Sequence, residues 1–188
     1  MQADVTVAGE RAALLRAVGN RFGHLDVLIN NAGTYVERDF TSGIESTRGL
    51  DQEISLNLTA PIHLTGEALD QWPSLEAIVF VTSGFALVSP TRAPSYGAVK
   101  AGLHGFADGL RRQLASRGTR VLEVLPPTTD TSMNAGSARK KIPASEVAAA
   151  TLRALDTGRP VALPGPSKML PTLLRIAPGL ISRRVAQL

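Results

Sequence analysis

The sequence contains no cysteine, which excludes disulfides and thiolate metal sites. Its three histidines, His24, His63 and His104, are scattered, and none has a second histidine or a carboxylate at the spacing of metal ligands. Aromatic residues are few, with one Trp, two Tyr and five Phe, and none alternates with the arginine-rich stretches. We therefore expect neither a metal site nor binding of nucleic acid, which single-strand binders achieve by stacking bases on aromatic rings beside basic residues.

Long hydrophobic runs are also absent. No apolar stretch approaches the roughly 20 residues that a membrane-spanning helix requires. The N-terminus lacks the charged and then apolar segment of a secretory signal, so we expect a cytoplasmic location. The 188 residues are 44% hydrophobic, which is enough for one sizeable core, and no linker divides them. The sequence thus predicts a single domain over residues 1–188.

Helical and strand-like patterns alternate along the chain, which is typical of a doubly wound α/β sheet. The helical patterns cover 10–22, 49–72, 95–117 and 145–157, with a break near Pro61 and Ser145 as N-cap of the last helix. The strand-like runs begin at Asp26, Ala77, Arg120 and Pro160. The first run is continuously apolar rather than alternating, which favours a strand of a parallel sheet that is buried on both faces.

Tyr96 and Lys100 form a Y-x-x-x-K pair at the start of the third helical pattern. Residues four apart share one face of a helix, so the Lys100 ammonium can lie beside the Tyr96 phenol and lower its pKa. A phenol with a lowered pKa could exchange protons near neutral pH. The alternative is a chance pair on a solvated helix, because so short a pattern is common.

Polar residues end the first two strand-like runs, where open α/β sheets bind ligands. Asn30-Asn31-Ala32-Gly33 ends the first run, and Ser83 ends the second. A carbonyl that accepts a hydride develops negative charge on its oxygen and needs a proton donor and a second hydrogen-bond donor. Tyr96 would be the general acid or base and Ser83 the second donor. The alternative for Ser83 is a turn hydroxyl that caps the strand end.

These segments, together with Glu53-Ile54-Ser55-Leu56-Asn57-Leu58, resemble the short-chain dehydrogenase/reductase family in their order and spacing. The resemblance implies a Rossmann-like fold and hydride transfer between NAD or NADP and a small carbonyl or alcohol substrate. It assigns catalysis to Asn57, Ser83, Tyr96 and Lys100. Lys100 would also hold the nicotinamide ribose hydroxyls, and Asn57 would anchor a water that links Lys100 to solvent. The alternative for Asn57 is an amide satisfied by its own helix backbone.

The resemblance also implies a set of residues that bind the dinucleotide. They are Asp4 and Val5 at the adenine, Asn30, Ala32 and Gly33 after the first strand, Tyr96 and Lys100 at the ribose, and Pro126, Thr129 and Thr131 at the nicotinamide. Pro127 stands where the family has a glycine. Because proline fixes φ and has no backbone N–H, the threonine hydroxyls could supply the contacts to the carboxamide instead.

One feature of the family is missing from the sequence, namely the T-G-x-x-x-G-x-G loop that holds a pyrophosphate at a helix N-terminus. Asp4-Val5 resembles a segment that follows the third strand in full-length relatives, so we expect roughly the first 60 residues of the domain to be absent. The expected fold is a doubly wound parallel sheet that lacks its first βαβαβ segment, with Val27 to Asn30 on an open edge. Two explanations of the missing segment are open. The sequence is a fragment or begins at an internal start codon, or the protein has lost dinucleotide binding.

The distribution of charge singles out the C-terminal segment. After residue 138 there are nine Lys or Arg residues against two acidic ones, whereas residues 1–138 carry net negative charge. In the tail 166–188, apolar residues from Leu170 to Leu188 recur near helical spacing among arginines. This pattern predicts either a cap that packs on the substrate side or contact with an anionic membrane surface.

The sequence therefore predicts an NAD(P)-dependent oxidoreductase, and the alternative is a non-catalytic remnant that binds a partner through its open edge or basic tail. The resemblance implies a homo-oligomer that pairs through the helices of Asn57 and Tyr96. Pro126-Pro127 and the segment 83–88 are similar to a branch of the family labelled as oxidoreductases of D-alanine esterification of teichoic acids. Neither the substrate nor the choice between NAD and NADP follows from the sequence.

Overall fold

A parallel sheet forms the centre of the computed structural model, which describes residues 1–186. The strands are β1 (Val27–Asn30), β2 (Ala77–Val81), β3 (Arg120–Val124), β4 (Thr129–Asp130), β5 (Ile142–Pro143) and β6 (Val161–Ala162). The central sheet has the order β1-β2-β3-β6, and all of its neighbours pair in parallel. The short strands β4 and β5 pair separately.

Helices alternate with the strands, as the sequence predicts. They are α1 (Ala8–Phe22), α2 (Leu50–Ile54), α3 (Ala60–Gln71), α4 (Pro94–Leu114), α5 (Ala144–Asp156), α6 (Leu170–Ile176) and α7 (Pro178–Ala186). Shorter 3-10 turns cover Phe40–Thr47, Gly84–Ala86, Ala115–Arg117, Ser132–Asn134 and Gly165–Met169. The α/β class with a Rossmann-like parallel sheet is thereby confirmed.

The core lies on both faces of the central sheet. Ile78 and Phe80 belong to a cluster with apolar residues of α1, α3 and α4 on one face. Val79, which points the other way because side chains alternate along a strand, packs with Leu122 and Ala154 on the face covered by α5. This two-sided burial explains why the β2 run is apolar at every position.

Two predicted helix boundaries differ in the structure. The break near Pro61 is a π-helical turn over Ser55–Thr59, which separates α2 from α3 and places Pro61 in the first turn of α3, where a missing N–H is tolerated. The predicted Ser145 N-cap is wrong. Pro143 is the N-cap, with φ −66° and ψ 145° and no side-chain cap bond, so Ser145 already lies inside the first turn of α5.

The β1 strand lies at an edge of the central sheet, as predicted. Within residues 1–186 its ladder partner is β2 alone, in the register Val27↔Ala77 to Asn30↔Phe80. Ile29 on this strand is 51% exposed. The edge therefore presents unpaired backbone groups and an apolar side chain, which favours association with another strand.

The basic tail forms α6 and α7, separated at Ala177, so it is not one continuous helix. Val185 is buried, and Leu170 approaches the turn at Gly84, whereas Ile176 and Leu180 are exposed. Leu188 lies outside the described residues. No helix among residues 1–186 is long and apolar enough to span a membrane. Whether the tail caps the substrate or contacts a membrane surface stays a prediction.

Gly97 and Gly105 on α4 offer a matched test of this packing. A Cβ on Gly97 would lie 2.6 Å from Ser89 Cβ and 3.0 Å from Ser89 Cα, whereas a Cβ on Gly105 would meet nothing within 4 Å. We expect Gly97→Ala to destabilise the protein by about 1–3 kcal/mol through overpacking. Gly105→Ala should stabilise it by about 0.5–1 kcal/mol, since alanine favours a helix. Denaturant unfolding measures both, and equal shifts of the same sign would contradict the packing described.

Candidate active site

A cleft of about 1330 Å³ opens at the carboxyl ends of β1, β2 and β3. Parallel strands present their carboxyl ends at the same sheet edge, so the segments that follow them converge there. Most of the predicted site residues line this cleft: Ala32, Gly33, Asn57, Ser83, Tyr96, Lys100, Pro126, Thr129 and Thr131. The fold thus brings together side chains that are up to a hundred positions apart in the sequence.

Tyr96 lies in the first turn of α4 and is 9% exposed. The pKa of its phenol is raised to about 12, chiefly by burial and in smaller part by the nearby Tyr35 and Glu53, whereas a hydrogen bond with Ser83 opposes the rise. The lowered pKa expected from Lys100 is therefore not found in this structure, because burial outweighs the other influences. At neutral pH the phenol keeps its proton and can donate it.

Lys100 lies one turn along α4 and is also buried. Its Nζ donates a hydrogen bond to the carbonyl oxygen of Val81 at 3.0 Å and lies 5.7 Å from the centroid of the Tyr96 ring. Burial lowers the pKa of the ammonium to about 8. An ammonium has three donors, so Lys100 can anchor α4 to the end of β2 and still offer hydrogen bonds to a ligand in the cleft.

Asn57 lies in the π-helical turn and joins two segments of the site. Its Oδ1 accepts from Thr34 N at 3.1 Å, and its Nδ2 donates to Thr34 O at 3.0 Å and to Glu53 O at 3.1 Å. A Cβ on Gly33 would lie 2.7 Å from this Oδ1, so glycine is needed for the close approach. Asn57 therefore makes one hydrogen bond to the backbone of its own helix, and its two bonds to Thr34 hold the segment that follows β1.

Ser83 directly follows the extension of β2 and begins the turn at Gly84. Its Oγ accepts a hydrogen bond from Phe85 N at 3.1 Å, so it caps this turn as the alternative interpretation had it. Its single hydroxyl hydrogen is not used in that bond and can be donated to the Tyr96 phenol, a hydrogen bond that opposes the rise in the phenol pKa. The two interpretations of Ser83 are thus compatible.

Three predicted residues lie elsewhere. The carboxylate of Asp4 accepts hydrogen bonds from Thr6 N and Oγ1 at 2.9 and 2.7 Å, which lowers its pKa. Val5 packs against the core around α1, and Asn30 donates to Thr65 Oγ1 at 3.2 Å in a buried position. Since none of the three lines the cleft, their proposed contacts with a dinucleotide stay a prediction.

The segment after β3 completes one wall of the cleft. Thr129 Oγ1 donates to the carbonyl oxygen of Pro127 at 2.9 Å, and Pro126 O accepts from Gly84 N at 3.4 Å. The Thr129 hydroxyl can still accept a hydrogen bond, and Thr131 is exposed. Together with the cradle formed by Gly33, Asn57 and Lys100, this wall fits the nicotinamide and ribose half of a dinucleotide.

Aromatic and charged residues that the sequence interpretation missed surround Tyr96. The rings of Tyr35 and Phe85 meet the Tyr96 ring edge-on, with centroids 5.0 and 6.4 Å away, and we call this pair the aromatic collar. The Arg139 guanidinium lies 5.5 Å from the Phe85 centroid and hydrogen-bonds the Tyr35 hydroxyl. Arg92 and Glu37 form an ion pair at 2.8 Å in the same cleft.

A buried ion pair behind the cleft was also missed. Arg38 Nε donates to Glu53 Oε2 at 3.0 Å, and the same oxygen accepts from Ser95 Oγ at 2.9 Å. A signal was available in the sequence, because Glu53 precedes Asn57 by four positions and so shares its helix face. Arg38 and Ser95 carry no such signal.

In the described part of the chain, no group of three or more His, Cys, Asp or Glu side chains could hold a metal ion. His104 instead contacts Glu123, with 2.8 Å between Nδ1 and Oε2.

Residues 1–142 match the family model described as short chain dehydrogenase. The uncharacterized oxidoreductase DltE of Bacillus subtilis (strain 168) is 40% identical over 143 residues, which are 74% of this chain and 56% of that protein. The chain therefore spans little more than half the length of this relative.

Solved structures show the same similarity. A short chain dehydrogenase from Burkholderia cenocepacia J2315 in complex with NADP has a TM-score of 0.85 at 26% identity, covering 98% of this chain and 77% of that one. A short-chain dehydrogenase from Sphingobium yanoikuyae in complex with NADPH has a TM-score of 0.78 at 27% identity, covering 96% and 74%.

The buried Lys100 ammonium predicts a pH-dependent stability. Its pKa falls from 10.5 to about 8 on folding, so between these values the unfolded state binds more protons and stability rises with pH. Relative to Lys100→Met, the wild-type free energy of unfolding should rise by about 3 kcal/mol between pH 8 and 10.5. Urea unfolding at several pH values measures this, with Lys168→Met, which removes an exposed lysine, as the matched control. A pH-independent difference would contradict the burial of a charged Lys100.

Proposed function

This chain belongs to the short-chain dehydrogenase family, as its sequence motifs predicted, and from that premise we propose that its cleft is the proton-transfer site of an NAD(P)-dependent oxidoreductase. The reaction would interconvert a carbonyl compound and an alcohol. The observation that carries the proposal is a buried phenol, Tyr96, in contact with the Ser83 hydroxyl and with the Lys100 ammonium over its ring.

Tyr96 would act as the general acid toward the carbonyl oxygen. Because burial raises its pKa to about 12, the phenol is protonated at neutral pH and can donate its proton as negative charge develops on that oxygen. The Ser83 hydroxyl would donate a second hydrogen bond to the same oxygen. A bound dihydronicotinamide would supply the hydride. In the reverse direction the Tyr96 phenolate would accept the proton of the alcohol.

Lys100 and Asn57 would support this proton transfer. The Lys100 ammonium stabilises negative charge on Tyr96 during the reaction and has donors for the ribose hydroxyls of the dinucleotide. Asn57 would anchor the water that links Lys100 to solvent, and its bonds to Thr34 keep the segment after β1 in place. The nicotinamide half of the site would be lined by Ala32, Gly33, Pro126, Thr129 and Thr131. We also propose that Asp4, Val5 and Asn30 contact the dinucleotide.

The aromatic collar and its charges bear on the substrate. Tyr35 and Phe85 offer apolar ring surfaces next to Tyr96. Arg139 lies 5.5 Å from the Phe85 centroid in the same cleft, and a guanidinium can bind a carboxylate through two parallel hydrogen bonds. We infer a carbonyl substrate that has an aromatic or other apolar group and an anionic group such as a carboxylate.

A second candidate function is an interaction module without catalysis. It is favoured by the open edge of β1 within residues 1–186 and by the exposed Ile29. Such a chain would bind a partner but no dinucleotide. Pairing of two chains through the helices of Asn57 and Tyr96 is compatible with either function and stays a prediction.

Dinucleotide binding and turnover separate the two candidates. We expect NADPH or NADH to bind saturably, measured by cofactor fluorescence, and carbonyl reduction to be measurable by the loss of reduced cofactor. Tyr96→Phe should lower kcat by about a hundredfold or more, because it removes the acid, and should leave dinucleotide affinity within about twofold.

Tyr35→Phe is the matched control, since it removes the chain's other tyrosine hydroxyl. Tyr35→Phe should change KM for the carbonyl substrate and leave kcat near the wild-type value. Failure of both cofactors to bind would overturn the proposal for this chain and favour the interaction module. A Tyr96→Phe variant with wild-type kcat would overturn the acid role alone.

Arg139 tests the substrate class. We expect Arg139→Gln to lower kcat/KM for phenylglyoxylate by about ten- to hundredfold, the value of a charge-assisted hydrogen bond. Methyl phenylglyoxylate, which has the same carbonyl without the charge, should be affected less than about threefold. Arg117→Gln, at the far end of the Tyr96 helix, controls for loss of positive charge. Equal effects on the acid and the ester would show that Arg139 does not select an anion.

A further inference from the structure

Glu53 is a fully buried carboxylate that the proton transfer described above does not use. It is 1% exposed and lies on α2, one turn before Asn57. Its Oε2 accepts hydrogen bonds from Arg38 Nε and Ser95 Oγ, at 3.0 and 2.9 Å. Its Oε1 has no hydrogen-bond partner within residues 1–186. A buried carboxylate with one oxygen unpaired is costly, so a functional reason for its position is needed.

The contacts of Glu53 reach both helices of the proposed catalytic set. Its backbone carbonyl accepts the Asn57 Nδ2 hydrogen bond at 3.1 Å. Its side chain binds Ser95, the residue directly before Tyr96. One residue therefore contacts Asn57 itself and the neighbour of Tyr96, although these two catalytic candidates lie on separate helices.

Arg38 extends this connection to the segment between β1 and α2. Its Nη1 donates to the carbonyl oxygens of Ser46 and Arg48, at 2.9 and 2.6 Å, and its backbone N donates to Arg92 O at 2.8 Å. The guanidinium is itself buried and balances the charge of Glu53. Loop residues beside the aromatic collar are thereby fixed relative to the start of α4.

We propose that Glu53 is a positioning residue that holds Asn57, Tyr96 and the 38–48 segment as one unit. The inference rests on the proposed function, because it concerns the same proton-transfer site.

The negative charge of Glu53 has a second consequence, for the ionisation of Tyr96. The Glu53 carboxylate binds the residue directly before Tyr96, has Arg38 as its counter-ion and has one oxygen without a donor among residues 1–186, so its negative charge disfavours the phenolate.

The effect of the Glu53 charge on the pKa of Tyr96 depends on the other groups around the phenol. Glu53 and Tyr35 raise the phenol pKa, whereas the hydrogen bond with Ser83 lowers it, and the Lys100 ammonium lies over the ring. Glu53 is the carboxylate among them. Its charge therefore adds to burial, which is the largest cause, in raising the pKa of Tyr96 and favouring the protonated form that donates a proton to a carbonyl.

The ionisation of Tyr96 tests this directly. The chain has two tyrosines, so 13Cζ-tyrosine labelling yields two resonances, which Tyr35→Phe assigns. Glu53→Gln should make Tyr96 ionise at lower pH, with at least about threefold more phenolate at pH 11 than in the wild type. Glu123→Gln is the matched control, because Glu123 is equally buried, at 1% exposure, but contacts Thr82 and His104. It should leave the Tyr96 titration unchanged.

Ser95→Ala separates position from charge, and its milder change guards against a Glu53→Gln variant that does not fold. It removes the link to the Tyr96 helix but keeps the Glu53 charge and its Arg38 pair. Tyr96 should then ionise at the same pH as in the wild type or at a higher pH, and not at the lower pH expected for Glu53→Gln. In turnover, kcat should fall by about tenfold with KM within about twofold, as expected for a displaced acid.

The outcomes are distinct. Equal titration shifts in Glu53→Gln and Glu123→Gln, or no shift in either, would overturn the charge effect. A Ser95→Ala variant with wild-type kcat, or with Tyr96 ionising at lower pH, would overturn the positioning role. The titration needs neither cofactor nor turnover, so an inactive wild type would overturn the proposed function and leave the inference about Glu53 to be decided by the two titrations.

Discussion

The parallel pairing of β1, β2 and β3 is the constraint on which the candidate site depends. The register joins Asn30 to Phe80 and Val81 to Val124, so the three strands end close to one level. The segments that follow them must then emerge at one edge of the sheet. Thr82 N continues the ladder by donating to Val124 O at 2.9 Å, which delivers Ser83 to the cleft in extended conformation. Without this alignment, residues far apart in the chain would not meet.

The Tyr96 helix is attached to this framework by buried polar contacts as well as by apolar packing. Ser95 binds Glu53, Lys100 binds the carbonyl of Val81, and His104 contacts Glu123. Burying an amine or a carboxylate costs free energy unless partners compensate for lost hydration. The same contacts give the helix a defined position along its axis, which apolar packing alone specifies less sharply. The chemistry and the placement of the helix thus depend on the same groups.

Much of the site followed from local patterns. The segment 31–33, Ser83 and the Tyr96–Lys100 pair each occupy a short stretch whose spacing has a chemical meaning, and the strand ends place them in one cleft. The aromatic collar around Tyr96 and the Arg38–Glu53 pair could not be predicted from the sequence, because each joins segments that no local pattern connects. Ser95 and Glu53, for example, are 42 positions apart. The Ser145 cap was wrong because Pro143 supplies the non-helical residue that starts α5.

The sequence alone determined the alternation of helices and strands, the family, and the order of the polar residues, since these depend on periodicity and spacing along the chain. Only the tertiary structure decided the protonation of those residues. The Y-x-x-x-K spacing suggested a phenol with a lowered pKa, whereas burial raises the pKa of Tyr96 to about 12 and lowers that of Lys100 to about 8. The reason is that desolvation depends on what surrounds a side chain in three dimensions, which no spacing along the chain specifies.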